Sequence, residues 1–201
     1  MSALFPETIE TERLRLRRLH PQSVDVFDLY EICSSDPGIE DVTEHVVWEP
    51  HETVKETHDF VAQAVQAWDE GERAPYVIRP LDGEDGAGDI AGTTELGPDW
   101  ERDTAELGIW LRKRFWGRGY AGERAAALIE MAFERLDLSL VEVSHLDGNE
   151  QSRRAIESYV EAHGGGHDGL LRNFQANADG SVVDVHRFTV TQEEYREATR
   201  E

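Results

Sequence analysis

The order in which strand-like and helix-like hydrophobic periods follow one another restricts the fold of this chain more than any other feature. Apolar and polar residues alternate over residues 12–19, which is the period of a half-buried strand. Helical spacing begins at Pro21, since proline suits a first helical turn, and continues through Ile32. Along the whole chain the periods give the order β-α-α-β-β-β-α-β-α-β-β. This order predicts a mixed α/β or α+β sheet with helices on both faces.

The second helix carries its own start and stop signals. Thr53 and Glu56 have capping-box spacing, an apolar stripe runs from Phe60 to Trp68, and Gly71 supplies the stop. The remaining elements are predicted from period and turn residues. Strands are expected at 74–80, 89–96, 105–111, 139–146, 169–175 and 182–190, and helices at 121–136, 149–163 and 191–200.

The charge of the chain argues against one class of partner. Asp and Glu number 42 against 20 Lys and Arg, which gives a formal net charge of −22, and Lys55 and Lys113 are the only lysines. Such a surface predicts adaptation to a high-salt cytoplasm, with an ordinary acidic protein as the alternative. It argues against nucleic-acid binding, which draws affinity from phosphate neutralisation.

Residues 1–201 are expected, from their number and composition, to form a single domain. The protein is expected to be cytoplasmic, because no apolar run is long enough to span a membrane and residues 1–19 lack a signal peptide. Cys33 is the lone cysteine, which excludes an internal disulfide. It is interpreted as a packed or surface thiol.

The segment RKRFWGRGYAGE, residues 112–123, gathers cations directly before a glycine-rich turn. Glycines let main-chain N–H groups point at an anion, and the helix that follows adds about half a positive charge at its N-terminus. The segment therefore predicts a pyrophosphate cradle. In one alternative, the cations simply pair with neighbouring carboxylates. In the other, the G-x-G-x-x-G spacing marks a dinucleotide fold, but RKRFW separates the strand from the first glycine and Glu142 lies in mid-strand.

An ordered set of segments resembles the GNAT acyltransferase superfamily, and within it the RimJ/RimL-like branch that acetylates protein N-termini. The core of the resemblance is RFWGRG, residues 114–119, which fits the family's [Q/R]-x-x-G-x-[G/A] acetyl-CoA pyrophosphate motif. The other matching segments are ETERLRLRRL (10–19), IAGTTEL (90–96), AELGIWL (105–111), NEQSRRAI (149–156), GLLRN (169–173) and DVHRFTV (184–190).

The resemblance implies an α/β (α+β) GNAT fold with a central mixed, mostly antiparallel sheet of six to seven strands and helices on both faces. It implies acetyl-CoA as the co-substrate, with no metal. The residues implied to bind acetyl-CoA are Ile109, Trp110, Leu111, Arg114, Gly117, Arg118, Gly119, Tyr120, Ala121, Asn149 and Ser152.

The chemistry implied by the resemblance is direct transfer of the acetyl group to a primary amine. Glu106 is the implied general base, with Glu95 second, and a main-chain N–H at positions 110–111 would stabilise the oxyanion. Ser152 is the implied proton donor to the thiolate, although helix capping and cofactor orientation are alternatives. Tyr159 is a reserve acid whose helical spacing equally suits the core.

The chain departs from the family at its penultimate helix. The tyrosine usual at one position is Ile156, and the helix continues about four residues further, to Gly164, with Gly165 in place of an aromatic. These departures leave open a non-catalytic acyl-CoA-binding module. The resemblance implies a protein N-terminus as acceptor, ribosomal proteins included, while small amines remain an alternative. The protein is expected to be a monomer or homodimer.

The segment HGGGHD, residues 163–168, raises a metal-site hypothesis. A flexible triple glycine is a poor scaffold for fixed ligand geometry. A helix stop followed by a turn is the simpler interpretation.

Overall fold

The computed structural model describes residues 3–46, 48–176 and 181–200. The chain divides into two compact units, one formed by Met1–Gly97 and Gly108–Arg124, the other by Pro98–Leu107 and Ala125–Glu201. The single domain expected for the whole chain stays a prediction. Within the described ranges, no helix is both long and apolar enough to cross a membrane.

The first unit is built on antiparallel strands. Leu16 of the second strand lies opposite Ile9 of the first and Ile78 of the third, and Val77 lies opposite Thr93 of the fourth. The first of these strands was not predicted, because its three residues carry too short a pattern to show a period. The strands are β1 (Thr8–Glu10), β2 (Leu14–Arg18), β3 (Ala74–Pro80) and β4 (Gly92–Asp99).

The first helix starts later than the sequence predicts. Helix α1 spans Val26–Ser35, and its N-cap is Asp25, whose carboxylate accepts hydrogen bonds from the main-chain N–H groups of Phe27 and Asp28. The prediction of a start at Pro21 was therefore wrong, since the side-chain cap determines the boundary. Phe27, which falls within the predicted helix, is 63% exposed.

Two further helices complete the first unit. The short helix α2 spans Ile39–Thr43, in a segment for which no element was predicted, and α3 spans Val54–Glu70. Gly71 ends α3 at φ +74°, as predicted. The predicted capping box is absent there, because the Glu56 carboxylate instead accepts from the Thr53 hydroxyl and from the Glu52 N–H.

Residues of α1, α3, β3 and the segments that connect them form an apolar core in the first unit. It contains Leu19, Val24, Leu29, Ile32, Cys33, Val61, Ala64, Val77 and Ile90. Burial, with a smaller effect from Asp36, raises the pKa of the Cys33 thiol to about 12. A thiol this difficult to ionise is a packing group rather than a nucleophile, which agrees with the interpretation from sequence.

Strand β5 (Thr104–Leu111) passes from the second unit into the first. Its first residues pair in parallel with β6 (Leu140–Leu146), and Glu106 lies opposite Glu142. Strand β8 (Val182–Thr191) is antiparallel to both β6 and β7 (Gly166–Ala176).

The hydrogen-bonded order is β1-β2-β3-β4-β5-β6-β8-β7. The mixed, mostly antiparallel sheet is confirmed, but the described residues form eight strands instead of six to seven.

Three helices follow β5. Helix α4 spans Tyr120–Glu130 and runs into a π-helical turn, α5 spans Glu150–Ala162, and α6 spans Gln192–Ala198. After α5 the chain passes so close to β8 that a Cβ on Gly165 would lie 2.2 Å from the main-chain oxygen of Thr189. The glycines after α5 thus serve a helix end and a close backbone approach.

Candidate active site

The glycine turn between β5 and α4 leaves main-chain donors without internal acceptors. Gly117 and Gly119 have φ values of +73° and +80°, in the left-handed region that costs other residues about 1–2 kcal/mol. The Gly119 carbonyl accepts the first helical bond, from the Glu123 N–H at 3.1 Å. Among the described residues, none accepts a hydrogen bond from the N–H groups of residues 119–122. These donors lie at the positive end of α4, which is an arrangement suited to a phosphate.

The cations before and within this turn are all paired with aspartates. The alternative that they pair with carboxylates of the protein is therefore what the structure shows. The pairs are Arg112 with Asp36, Lys113 with Asp41 at 2.8 Å, Arg114 with Asp89 at 2.7 Å, and Arg118 with Asp85 at 2.8 Å.

These pairs differ in burial. The side chains of Arg112 and Asp36 are 14% and 8% exposed, so this pair belongs to the framework of the first unit. The Asp89 and Asp85 side chains are 50% and 88% exposed. Exposed pairs contribute little to stability, so Arg114 and Arg118 are the cations of the turn that could exchange an aspartate for a phosphate. Their predicted role in binding the cofactor stays a prediction.

The loop between β3 and β4 packs against the turn. A Cβ on Gly86 would lie 2.9 Å from the Phe115 ring, and the Tyr120 hydroxyl donates to the Glu84 carboxylate at 2.7 Å. Tyr120 is fully buried, and burial, followed by this hydrogen bond, raises its pKa. The side chain of this predicted binding residue therefore belongs to the packing between the turn and the loop.

Arg13 and Glu123 tie the turn to β2, and the sequence analysis assigned them no role. The Glu123 carboxylate accepts from the Thr11 hydroxyl at 2.6 Å and from the Arg13 N–H and Nε at 2.7 Å each. Burial opposes ionisation of Glu123, but these hydrogen bonds outweigh it and hold the pKa of the carboxyl below its usual value. The partners lie 110 positions apart along the chain, so no local pattern could reveal them.

The residues predicted around the acetyl group on β5 lie close to β4. A Cβ on Gly92 would lie 2.1 Å from the Trp110 main-chain oxygen, so only glycine permits this approach of the two strands. The Leu111 carbonyl accepts from Trp116 Nε1 at 2.8 Å. Ile109 is half-buried on the same strand. Whether a main-chain N–H at positions 110–111 meets an oxyanion stays a prediction.

The two candidate bases have different surroundings. Arg73 Nη1 lies 2.5 Å from Glu95 Oε1, and the Glu95 side chain packs against Gly108, whose added Cβ would lie 3.0 Å from Glu95 Cγ. Glu106 is exposed on β5 in the second unit. Its opposite residue, Glu142, is paired with Arg187 at 2.5 Å. Glu95 is thus already engaged by a cation.

The start of α5 brings Asn149 and Ser152 together. Asn149 is the N-cap, and its side-chain oxygen accepts from the Ser152 N–H at 3.0 Å. Asn149, one of the residues implied to bind acetyl-CoA, thus caps this helix with its side chain. The Ser152 side chain is half-buried and is not the cap. Tyr159, the reserve acid, and Ile156, at the position of the family's usual tyrosine, are buried at 4% and 5% exposure.

The two histidines of the HGGGHD segment, His163 and His167, contact different parts of the protein. His163 Nδ1 bonds the Tyr159 carbonyl at 2.6 Å, at the end of α5. His167 Nε2 lies 3.0 Å from His186 Nδ1, and His186 Nε2 lies 3.2 Å from Asp147. Within residues 3–46, 48–176 and 181–200, no group of three or more His, Cys, Asp or Glu side chains is arranged to hold a metal ion.

Comparison with known proteins decides the family. The family model of the acetyltransferase (GNAT) domain matches residues 13–159, which is more than half of the chain. The chain belongs to the GNAT family. It is an acetyl-CoA-dependent N-acetyltransferase, and this assignment sets aside the dinucleotide-binding alternative.

Relatives of this acetyltransferase support the same assignment. It is similar to the "Uncharacterized N-acetyltransferase p20" of Bacillus licheniformis, with 29% identity over 192 residues that cover 94% of this chain and 98% of that protein. The solved structure of the microcin C7 self-immunity acetyltransferase MccE, in complex with acetyl-CoA and AMP, has a TM-score of 0.78 at 16% identity. That likeness covers 94% of this chain and 98% of the MccE chain.

RimL, the ribosomal L7/L12 alpha-N-protein acetyltransferase, has a TM-score of 0.74 at 17% identity and covers 92% of this chain and 94% of its own. At these identities the MccE and RimL structures show the fold alone.

Proposed function

We propose that this acetyltransferase moves the acetyl group of acetyl-CoA to the α-amine of a protein N-terminus, as in the RimJ/RimL-like branch. The observation that carries the use of acetyl-CoA is the open start of α4, where residues 119–122 present main-chain donors beside a glycine turn. The ordered motifs that resemble this branch support the choice of acceptor. A net charge of −22 favours a cationic substrate over an acidic one.

The proposed reaction is a direct transfer. Glu106, or Glu95 in second place, accepts a proton from the acceptor amine, and the amine nitrogen then attacks the thioester carbon. A main-chain N–H of Trp110 or Leu111 stabilises the oxyanion. The carbon–sulfur bond breaks, Ser152 gives its hydroxyl proton to the departing thiolate, and the proton that the amine nitrogen loses as the amide forms restores the Ser152 hydroxyl. Glu106 stays the first candidate because the family resemblance places a glutamate on this strand, and Glu95, in second place, has its Oε1 2.5 Å from Arg73 Nη1.

The proposed contacts with acetyl-CoA lie in the glycine turn and at the start of α5. Main-chain groups of Gly117, Gly119, Tyr120 and Ala121 would hold the pyrophosphate, with Arg114 and Arg118 exchanging their aspartates for it. We infer no metal requirement, since direct transfer needs no Lewis acid. Asn149 acts by holding the helix start that carries Ser152.

The acceptor is tested with the purified protein, in low salt and in molar KCl, because the acidic composition suggests adaptation to salt. Thiol release from acetyl-CoA is measured with peptides that have a free N-terminus, with the same peptides blocked at the N-terminus, and with small amines. The proposal expects release with the free peptide alone. Release only with small amines would move the function to small-molecule acetylation, and binding without any release would support the non-catalytic module.

In cells, the same question is answered by comparing N-terminal acetylation across the proteome of a deletion strain and its parent. Loss of acetylation at a defined group of N-termini is expected. Unchanged N-termini would contradict the protein acceptor.

A further inference from the structure

Arg13, just before β2, reaches the glycine turn from a distant part of the chain. Its Nη1 donates to the main-chain carbonyl of Arg118 at 2.9 Å, and Nε and Nη2 each lie 2.7 Å from the Glu123 carboxylate. The guanidinium also lies over the Tyr120 ring, 5.3 Å from its centroid. One side chain therefore holds both a carbonyl inside the turn and a carboxylate in the first turn of α4.

The contact with the Arg118 carbonyl fixes the direction of the next N–H group. In a trans peptide unit the carbonyl oxygen of one residue and the N–H of the following residue point in opposite directions. Because the Arg118 oxygen points at Arg13, the Gly119 N–H points away from it. The N–H that begins the open row of donors at α4 is thus oriented by a side chain on the far side of the peptide plane.

This peptide plane has little intrinsic resistance to rotation. Gly119 lacks a Cβ and occupies both signs of φ almost equally well, so a flip of the unit between residues 118 and 119 meets little steric opposition. A flipped unit would aim the Arg118 carbonyl oxygen at the position of a bound phosphate. The hydrogen bond from Arg13 opposes that flip.

Arg13 also compensates a negative charge in an unfavourable place. Glu123 lies near the N-terminus of α4, where its carboxylate would repel a phosphate held by the same helix end. The Arg13–Glu123 pair is partly shielded, with side chains 35% and 15% exposed, so solvent screens it less than the exposed pairs of the turn.

We propose that Arg13 is a positioning residue of the acetyl-CoA site, which keeps the peptide unit between Arg118 and Gly119 in the orientation that binds pyrophosphate. This inference rests on the proposed use of the glycine turn by acetyl-CoA and does not depend on which amine is the acceptor.

The test is titration calorimetry of the full chain with coenzyme A, together with kinetics on acetyl-CoA and on S-acetylpantetheine, which lacks the pyrophosphate. Arg13→Gln is expected to weaken coenzyme A binding about tenfold and to raise KM for acetyl-CoA by a similar factor. The kcat at saturating acetyl-CoA and the KM for S-acetylpantetheine should stay at their wild-type values. Arg13→Lys, which keeps the charge but not the fork, should recover part of the loss.

Two further variants separate positioning from general stability. Arg15→Gln removes an equivalent cation from an exposed pair with Glu10 and should leave coenzyme A binding unchanged. Glu123→Gln breaks the ion pair but leaves Arg13 free to hold the Arg118 carbonyl, so its binding should stay within about threefold of wild type.

The proposal is overturned if Arg13→Gln binds coenzyme A normally, if it impairs S-acetylpantetheine equally, or if Glu123→Gln weakens binding as much. Should Arg13→Gln fail to fold, the same ratio of coenzyme A to S-acetylpantetheine effects in Arg13→Lys decides. A wild-type protein that does not bind coenzyme A would instead contradict the proposed function itself.

Discussion

The N-termini of α4 and α5 differ in whether their main-chain N–H groups find an acceptor within the protein. At α5 the Asn149 side chain accepts from the Ser152 N–H, so the helix satisfies part of its own end. At α4 a glycine stands in the capping position, and the first N–H groups have no acceptor in the described part of the chain. The difference shows that the N-cap residue decides whether the first main-chain N–H groups of a helix are satisfied, since an asparagine side chain there accepts a hydrogen bond from one of them. Only the open end is suited to an anion.

The largest effect is expected from Gly119→Leu at the open helix start. A leucine must adopt φ +80° there, and its Cβ would lie 3.3 Å from Arg13 Nη2. We expect kcat/KM for acetyl-CoA to fall by more than about 100-fold, because the N–H groups lose their alignment. Gly83→Leu is the matched control, at φ +100° with open space around the added Cβ. Equal activity of the two variants would contradict the role of the turn.

Ser152→Ala tests whether the closed helix start carries chemistry as well as structure. If its hydroxyl protonates the thiolate, kcat should fall about 100-fold, with Tm unchanged because Asn149 provides the cap. Ser158→Ala, an exposed serine on the same helix, is the control and should have wild-type kcat. Steady-state thiol release measures both. Wild-type kcat in Ser152→Ala would remove this residue from the mechanism.

Asn149→Ala should affect stability. Loss of the cap costs about 1 kcal/mol, which lowers Tm by about 2–4 °C for a chain of this size. Asn149→Ser, which retains an acceptor, should restore most of the Tm. Thermal unfolding followed by circular dichroism measures the change. A Tm that does not move would mean that the α5 cap contributes nothing, and the contrast with α4 would weaken.

A glutamate lies in the first turn of each helix, and the two should respond differently to acid. The pKa of Glu123 is lowered by its hydrogen bonds against the opposing effect of burial, and that of exposed Glu150 is lowered mainly by its hydrogen bond with Arg153. A depressed carboxyl pKa contributes stability above the ordinary glutamate pKa, and this stability is lost as the pH falls through the folded value.

The difference in unfolding free energy between wild type and Glu123→Gln should therefore be greatest near neutral pH and shrink in acid. Denaturant titrations across this range measure it. Glu150→Gln, at a solvent-exposed pair, should show a much smaller change. An equal response of the two variants would contradict the special role of the half-buried pair.

The smallest effect concerns the aspartates that pair with the turn. Asp85→Asn frees Arg118 from an exposed carboxylate, so affinity for coenzyme A should rise about two- to threefold at low salt, and the gain should fade in molar KCl. Asp69→Asn, which changes the same charge beside Arg18 and away from the turn, is the control. Calorimetry with coenzyme A at both salt concentrations measures the change. A gain in Asp85→Asn alone indicates that Asp85 and the phosphate compete for Arg118, whereas an equal gain in Asp69→Asn indicates a general effect of net charge.

Several structural features that depend only on residues close together in the sequence were predicted correctly. The N-x-x-S pattern at residues 149–152 marks a helix start, and glycines 117 and 119 mark the turn, because caps and positive φ angles are local properties. The start of α1 was predicted at Pro21, but the Asp25 side chain caps the helix, so the helix begins after Asp25. The structure also showed that each cation of the turn has an aspartate partner.

Features that depend on distant residues could not be predicted. The Arg13–Glu123 pair joins positions 110 apart, and the aspartates that pair with the turn come from the residue after α1, from α2 and from the β3–β4 loop. No periodicity within one segment encodes such pairings. The short strand β1 was missed for a related reason, since its pairing with β2 defines it more than its own pattern does.

Phe115 gives the turn a further property. Its buried ring lies under two guanidinium groups, with Arg114 4.5 Å and Arg118 5.0 Å from the centroid. Each arginine side chain carries about 2 kcal/mol of rotamer entropy. Because the ring and the aspartates restrict both side chains before any cofactor arrives, much of that entropy is lost during folding. A phosphate bound as proposed would meet arginine side chains whose freedom is already reduced, so less of the cofactor's binding energy would be used to order them.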